Sequence, residues 1–434
     1  MTVLSPSEVT IVPRPVPGFI EYAVSEGLAA PGQIICLDPA NTDPSKLANE
    51  DLISMAAVLP MAERSRLFGL PFVSAFTTAS IREQAASLDM APIQRSDSVF
   101  ADNKSEFLRH AGKHGIQVCE HYDFSDVNVA SKIYSGTLQR HGGWIKVSNA
   151  MGGCGLGYLA PQFTEAHVAL ALKRLRGDVQ QSLIASRIFS ETAHELVWPP
   201  NQVSSPFFPI TIEVDASCYG EKLLVGSSVV EINRLGAHRT HAYFQQIMGE
   251  GGEFLGSALL NVPSRFGASL LKKLEDQAAR IARLACHDLG FAGIAGIDFI
   301  VVQDEDRNLD VRIIELNARP PISATSYILG SQKLGASAWR APYLVTDKPI
   351  VSMLQLEQLL TIDGRNLTRT DPDAGRITPL HFGTITRGSG DSASIVRPAN
   401  WCQVLISAAS EAAIDTLISK VQGQGEVRFG RPNW

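Results

Sequence analysis

The stretch "GIDFIVVQDEDRNLDVRIIELNARP", Gly296 to Pro320, sets Asp298, Glu315, Asn317 and Arg319 into two apolar runs separated by a polar connection. The runs are rich in Ile, Val and Phe, as strands are, and "QDEDRNLD" between them has the Asp, Asn and charge of a hairpin turn. Successive side chains on a strand point to opposite faces, so Glu315, Asn317 and Arg319 share one face while Leu316 and Ala318 point to the other. Pairing the two strands then brings Asp298 beside Glu315 and Asn317.

Two carboxylates and an amide oxygen on one face repel one another unless a cation lies between them. An all-oxygen set suits Mg²⁺, which keeps waters and substrate phosphates as its other ligands. The row reads as a metal–nucleotide site. A solvated face of an antiparallel sheet gives the same alternation, and Glu315 with Asn317 alone do not separate the two readings.

A second signal lies upstream. "WIKVSNAMGGCGLG" places Lys146 on a strand just ahead of Gly152, Gly153, Gly155 and Gly157. Glycines let backbone N–H groups approach phosphate oxygens, and a lysine on the adjacent strand neutralises them. The segment does not fit G-x-x-x-x-G-K-[ST], and no helix follows it directly, so it is neither a P-loop nor a dinucleotide fingerprint. Extended chain after the glycines makes it the tip of a β-hairpin, and a plain flexible hairpin is the competing reading.

The rest of the chain frames these motifs. At 434 residues it has room for two to four domains. Hydrophobic residues at 45%, charged residues at 19% and a net charge of -6 fit a globular enzyme and exclude a nucleic-acid binder relying on a basic surface. The six cysteines, Cys36, Cys119, Cys154, Cys218, Cys286 and Cys402, contain no C-x-x-C pair, which points to a reducing cytosol. The opening residues lack a basic region followed by an apolar core, and no run of about 18 apolar residues occurs, so a cytoplasmic protein without a membrane span is expected. Asp102 or Asn103 reads as the N-cap of a helix starting "KSEFLRHAGKHG". "RFGASLLKKLEDQAARIARLACHDLG" reads as one long amphipathic helix ending at Gly290.

In order, the helix beginning at Lys104, the strand lysine with its glycine loop, a β-rich section and "GIDFIVV…RIIELNARP" resemble the ATP-grasp superfamily of carboxylate–amine ligases. The most specific part is an Asp on one strand followed by Glu-x-Asn-x-Arg on its neighbour, with every position filled. The resemblance implies a mixed α/β (α+β) ATP-grasp fold: an N-terminal α/β pre-ATP-grasp domain over residues 1–100, ATP-grasp subdomains over 101–182 and 183–345, and a small C-terminal α+β module over 346–434. It also implies that Asp298, Glu315 and Asn317 hold one or two Mg²⁺ ions, with Mn²⁺ as a substitute, against the phosphates of ATP. Lys104 and Lys146 would contact those phosphates, and Gly152, Gly153 and Gly155 would close over them.

Arg319 matches a family position near the reacting acyl phosphate and is expected to stabilise the intermediate, an ion pair with a neighbouring carboxylate being the structural alternative. Some D-alanine ligase-like members carry an Arg two residues ahead of the metal-binding Asp. Gly296 stands there in this chain, so another cation is required. Arg239 in "INRLGAHRTHAYF" is the candidate, with His238 and His241 nearby, polar loop residues being the alternative. For the ribose contact Glu191, Glu195 and Glu213 stay open.

The arrangement of domains and "ELNARPPISATSY" also resemble stand-alone peptide ligases of natural-product biosynthesis, the pheganomycin-type group. The expected reaction converts a carboxylate to an acyl phosphate and couples it to an amine, with amino acids or small peptides as substrates and ADP and phosphate released. A carboxylase, a thiol ligase or a catalytically silent nucleotide-binding protein are the alternatives. No G-x-S-x-G elbow supports a serine hydrolase. No nucleic-acid or membrane partner is expected, and a homodimer follows from the general prevalence of two-fold symmetry.

Overall fold

The computed structural model describes residues 10–12, 16–36, 61–65, 67, 71–72, 79–88, 90–92, 101–124, 136–147, 156–164, 166–168, 210–249, 254–369, 375–387 and 395–430. Near the start, strands β1 (Thr10–Val12) and β2 (Ile34–Cys36) pair in parallel across helix α1 (Phe19–Ser25). After the short helix α2 (Met61–Arg64), strands β3 (Pro71–Phe72) and β4 (Ala91–Pro92) do the same across α3 (Ala79–Ser87). Parallel neighbours need such a crossover, which is the reason helix and strand alternate here.

Helix α4 (Lys104–Ala111) leads into β5 (His121–Phe124), and α5 (Gly136–His141) into β6 (Gly143–Val147). These strands, with β7 (Leu156–Leu159) and β8 (Ile210–Val214), form an antiparallel sheet in the order β5-β8-β6-β7. Strands β6 and β7 pair with Lys146 opposite Leu156, so the glycine-rich segment joins two hairpin strands. Gly152, Gly153 and Gly155 themselves lie outside the described residues.

A larger antiparallel sheet follows. It contains β9 (Glu221–Ile232), β10 (His238–Met248), β11 (Phe254–Leu259), β12 (Gly293–Gln303), β13 (Leu309–Asn317) and β14 (Ala338–Thr346). Beyond the short pair β15 (Thr361–Ile362) and β16 (Arg365–Asn366), it continues through β17 (Arg376–Arg387) and β18 (Ile395–Ala408). The order is β13-β12-β9-β10-β11-β14-β18-β17, with β19 (Val427–Phe429) also paired to β14. The sheet therefore runs on past residue 346: strands of the expected C-terminal module hydrogen-bond directly to the sheet that carries Asp298.

The helical expectation over 265–290 needs one correction. Gly267, at φ 86, breaks it into α6 (Val262–Phe266) and α7 (Ala268–His287). Leu270, Leu274, Ala278, Ile281 and Ala285 of α7 recur every three or four residues and form one buried stripe. That stripe packs on Val230, Ile297, Phe299, Ile313 and Leu316, with Phe107 and Leu108 of α4 in the same core. The opposite face of the sheet buries Val229, Phe244 and Trp339 against Ala324 and Leu329 from the helical segment around α8 (Ile322–Tyr327).

Helix α1 joins this second core with Met353 and Leu356 of α9 (Met353–Leu359), so an N-terminal element packs against C-terminal ones. Tyr22 donates its hydroxyl to the Thr368 carbonyl at 2.9 Å, and Glu26 pairs with Arg369 at 2.8 Å and Arg376 at 3.1 Å. A last helix, α10 (Glu411–Gln422), is capped by Ser410. Among the described residues no helix is long and apolar enough to cross a membrane.

Phe299, 1% exposed, is the central plug between β12 and α7. Phe299→Ala is expected to lower stability by about 3–5 kcal/mol, the usual result of emptying a buried aromatic site; urea unfolding followed by circular dichroism measures it.

Candidate functional site

Strands β12 and β13 pair with Asp298 opposite Glu315 and Gly296 opposite Asn317. The ladder slips by one residue immediately beyond: Phe299 faces Ile313, leaving Ile314 as a bulge. This slip changes which way the polar residues point. Without it Ile313 and Glu315 would share a face; with it, Ile313 joins Ile297, Phe299 and Leu316 under α7, and Glu315 turns to the other side with Asp298.

On that side Asn317 Nδ2 donates to Asp298 Oδ2 and to Glu315 Oε1, each at 3.2 Å. Ser227 of β9 and Gln246 of β10 also hydrogen-bond to the Asp298 carboxylate. Burial, then the neighbouring Glu315, push the Asp298 carboxyl up to about 7. Burial works on Glu315 in the same sense, but Lys104, Lys146 and Arg319 outweigh it and hold Glu315 well below the ordinary carboxylate range. One carboxyl of the pair thus keeps a proton while the other stays ionised, the usual outcome for acids in close contact.

The cations arrive from three places. Lys104 Nζ lies 3.2 Å from Glu315 Oε2. Its helix is fixed by Asn103, whose side-chain oxygen caps the N–H groups of Ser105 and Glu106. Of the two cap candidates, Asn103 is therefore the one used. Asp102 turns the other way and accepts from the Ala318 N–H at 2.9 Å and from the Arg319 guanidinium. The segment is stitched to β13 again where Ile313 N–H donates to the Gln117 carbonyl at 2.7 Å.

Lys146 is buried on β6, with Nζ 3.0 Å from Glu213 Oε2 on β8. Burial disfavours its charge, yet Glu213 and Glu315 on either side prevail, so Lys146 keeps its proton and links the smaller sheet electrically to Glu315. Beside it, Ser105 Oγ, Thr211 Oγ1 and Asp123 Oδ1 form a chain of hydrogen bonds at 2.7 and 2.8 Å that ties α4 to β8 and β5. One step along the same face, Trp144 donates to Asp215 at 3.0 Å and its ring centroid lies 4.8 Å from that of Tyr158.

The structure thus brings Asp298, Glu315, Asn317, Lys104, Lys146 and Arg319 together. It does not bring in Arg239, which is exposed on β10 opposite Glu231, while His238 turns to Glu275 at 3.0 Å and His241 to Glu231 at 3.3 Å. Arg239 does share the sheet face of Asp298, four residues further along β9 than Ser227, or roughly 13 Å at the rise of a strand. The place of the missing arginine at Gly296 is closed by Pro321, whose ring atoms would lie 3.2 to 3.3 Å from an added Cβ. Glu213 is committed to Lys146, and Glu191 and Glu195 lie outside the described residues. The sequence left open an ion pair of Arg319 with an unnamed carboxylate, which Asp102 supplies, and gave no sign of the Lys146–Glu213 pair.

Whether these residues suit Mg²⁺ is decided by what occupies the gap between the carboxylates. An amide NH₂ bridges them, and Asp298 holds a proton; both are positive substitutes that a cation would displace. Among the described residues no group of three or more His, Cys, Asp or Glu side chains forms a closed site. Two carboxylates and an amide oxygen, exposed by rotation of the Asn317 amide, are the open set Mg²⁺ accepts when phosphates and water complete its shell. The residues fit.

No protein-family model and no curated protein matches the chain. Solved structures do. Biotin carboxylase from Campylobacter jejuni aligns over 94% of this chain and 83% of its own, at 13% identity and a TM-score of 0.54. The ADP complex of an N5-carboxyaminoimidazole ribonucleotide synthetase aligns over 98% of both chains at 12% identity and 0.51. L-amino acid ligase from Bacillus licheniformis aligns over 98% and 99% at 11% identity and 0.50. All three are ATP-grasp enzymes.

The chain has the ATP-grasp fold. The alignment covers 98% of the chain, and the carboxylate–lysine cluster draws residues from both antiparallel sheets and from α4.

The proton on Asp298 has a measurable consequence. In the metal-free protein this group binds a proton that the unfolded chain, at the ordinary value of 3.8, has released, so its contribution to stability is full below pH 3.8 and is lost as pH rises through about 7. Asp298→Asn is therefore expected to raise the melting temperature of the metal-free protein at pH 8 relative to the parent and to leave it unchanged near pH 4. Thermal melts in chelator across that range test it.

Proposed function

We propose that the chain is an ATP-dependent carboxylate–amine ligase: it phosphorylates a substrate carboxylate with ATP, and an amine then displaces phosphate to give an amide. The observation that carries this reading is the half-buried Asp298–Glu315 carboxyl pair, with Lys104 of α4 on Glu315 and Lys146 of the smaller sheet acting on the same carboxylate, in an ATP-grasp fold. A carboxylate has no leaving group; as an acyl phosphate it does. Bound Mg²⁺ supplies charge neutralisation on the phosphates of ATP. Asp298, Glu315 and Asn317 would hold it.

The chain's own side chains then do electrostatic work. Lys146, kept charged by Glu213 and Glu315, faces the nucleotide phosphates from the smaller sheet, and Lys104 faces them from the start of α4. Neither requires movement of a long exposed side chain, because both are already paired, so little reorganisation is needed as charge shifts in the transition state. Excluding water would protect the acyl phosphate from hydrolysis, the role the resemblance gives to Gly152, Gly153 and Gly155 in the segment joining β6 to β7. No protein nucleophile is involved. Amino acids or small peptides, with Mn²⁺ able to replace Mg²⁺, fit the reading, and peptide-bond formation in natural-product biosynthesis is its finer form.

Purified protein offered ATP and Mg²⁺ with paired amino acids, dipeptides and amines is expected to release ADP only with a matching acid and amine, with the amide found by mass. ADP release that needs bicarbonate or a thiol in place of an amine would move the assignment to another ATP-grasp chemistry. Glu315→Gln should cut Mg²⁺-dependent turnover at least ~10²-fold, the scale of losing one preorganised charge-stabilising group, with the fold retained by circular dichroism.

Lys146→Met should weaken ATP binding roughly tenfold or more, as expected for a charged hydrogen bond. Because this substitution strands buried Glu213, the Lys146→Met/Glu213→Gln double variant is the cleaner test by calorimetric titration. Unchanged nucleotide affinity there would remove Lys146 from the phosphate site.

A further inference from the structure

We propose that Asp102 is a positioning residue that holds the Arg319 guanidinium away from the Asp298–Glu315 pair and so reserves the space between these carboxylates for the metal ion; this rests on the ligase reading above. Asp102 occupies the place of a helix cap and does not cap. Asn103 does that, satisfying Ser105 and Glu106 N–H groups. The Asp102 carboxylate, 4% exposed, reaches to the end of β13, where one oxygen takes the Ala318 N–H and the other the Arg319 guanidinium.

Arg319 is an obvious competitor for the metal. It stands two residues beyond Asn317 and four beyond Glu315, and its NH2 group already reaches Asn317 Oδ1 at 2.8 Å. A planar guanidinium is the best side-chain partner a carboxylate can have, and here it faces two of them across one amide. Within β13 the guanidinium is met by the Asn317 side-chain oxygen. The chain turns tightly at this point, with the Arg319 N–H on the Asn317 carbonyl at 2.8 Å, which leaves the side chain near the carboxylates rather than leading it away. Asp102, a carboxylate delivered from a separate segment and anchored by the Ala318 backbone, takes the NH1 end of the guanidinium while Asn317 takes the NH2 end. The same guanidinium then holds Asn317 Oδ1, which keeps the amide between the carboxylates until a metal ion displaces it.

The test uses Mn²⁺ with a non-hydrolysable ATP analogue, read by the electron paramagnetic resonance signal of free Mn²⁺, so that binding is measured without turnover. Asp102→Asn retains an oxygen for the Ala318 N–H and is expected to weaken Mn²⁺ binding roughly tenfold, a size usual for coupled groups in one salt-bridge network. Asp102→Asn/Arg319→Gln should recover to within about threefold of the parent. A structural role alone would not produce that recovery.

Full affinity in Asp102→Asn, or no recovery in the double variant, overturns the proposal. If Asp102→Asn does not fold, Arg319→Gln and the double variant decide it: equal Mn²⁺ affinity is expected, because Asp102 acts only through Arg319, and a further loss in the double variant overturns it. If the parent itself binds no Mn²⁺–nucleotide, the ligase reading fails and this inference with it; if the parent binds and the variants do not differ, only this inference fails.

Discussion

Two carboxylates inside one sheet are the constraint around which this site is built. Asp298 and Glu315 face each other across β12 and β13, half-buried, where like charges interact more strongly than in bulk solvent. Such a pair persists only if its surroundings supply positive charge, protons or donors. The protein uses all three: Lys104, Lys146 and Arg319 act on Glu315, a proton sits on Asp298, and Asn317, Ser227 and Gln246 donate hydrogen bonds. Asn317 and Arg319 are neighbours of Glu315 in the sequence, but Lys104, Lys146, Ser227 and Gln246 come from separate segments, so the site exists only when the tertiary structure does.

This arrangement costs stability. Buried ion pairs such as Lys146–Glu213 recover little more than their desolvation penalty, and a hydrophobic replacement of both partners is often more stable. Their retention makes sense as preparation for a polyanionic ligand, since dipoles and charges fixed in advance need not reorganise when phosphate arrives. The two apolar cores on either side of the large sheet, one under α7 and one around Trp339, provide the stability that offsets this cost.

Much of the site was legible in the sequence because it depends on short-range rules. Strand alternation placed Glu315 and Asn317 on one face, the turn composition of residues 304–308 announced the hairpin, and the glycines after Lys146 announced the hairpin of β6 and β7. The bulge at Ile314 was not legible. It is set by the demand that Ile313 and Leu316 both reach α7, a tertiary requirement invisible in a period-two pattern.

The choice between Asp102 and Asn103 stayed open for a similar reason: Asp and Asn are equally good caps, and only the proximity of Ala318 and Arg319 decides which one caps. The sheet's continuation into β17 and β18 escaped notice because long-range strand pairing leaves no local trace. Arg239 looked catalytic beside two histidines, yet those histidines are engaged by Glu275 and Glu231, and the arginine stands exposed along the strand.

The docking of α1 against α9 and the Arg369–Arg376 region bears on how the chain is made. Tyr22 and its acceptor Thr368 are separated by 346 positions. On a ribosome adding about 5–20 residues per second, α1 emerges roughly 20 to 70 seconds before its partners exist. For that interval Tyr22 and Ala23, both buried in the finished protein, have no core to enter. Helix α1 therefore waits for residues made hundreds of positions later before its buried face is covered.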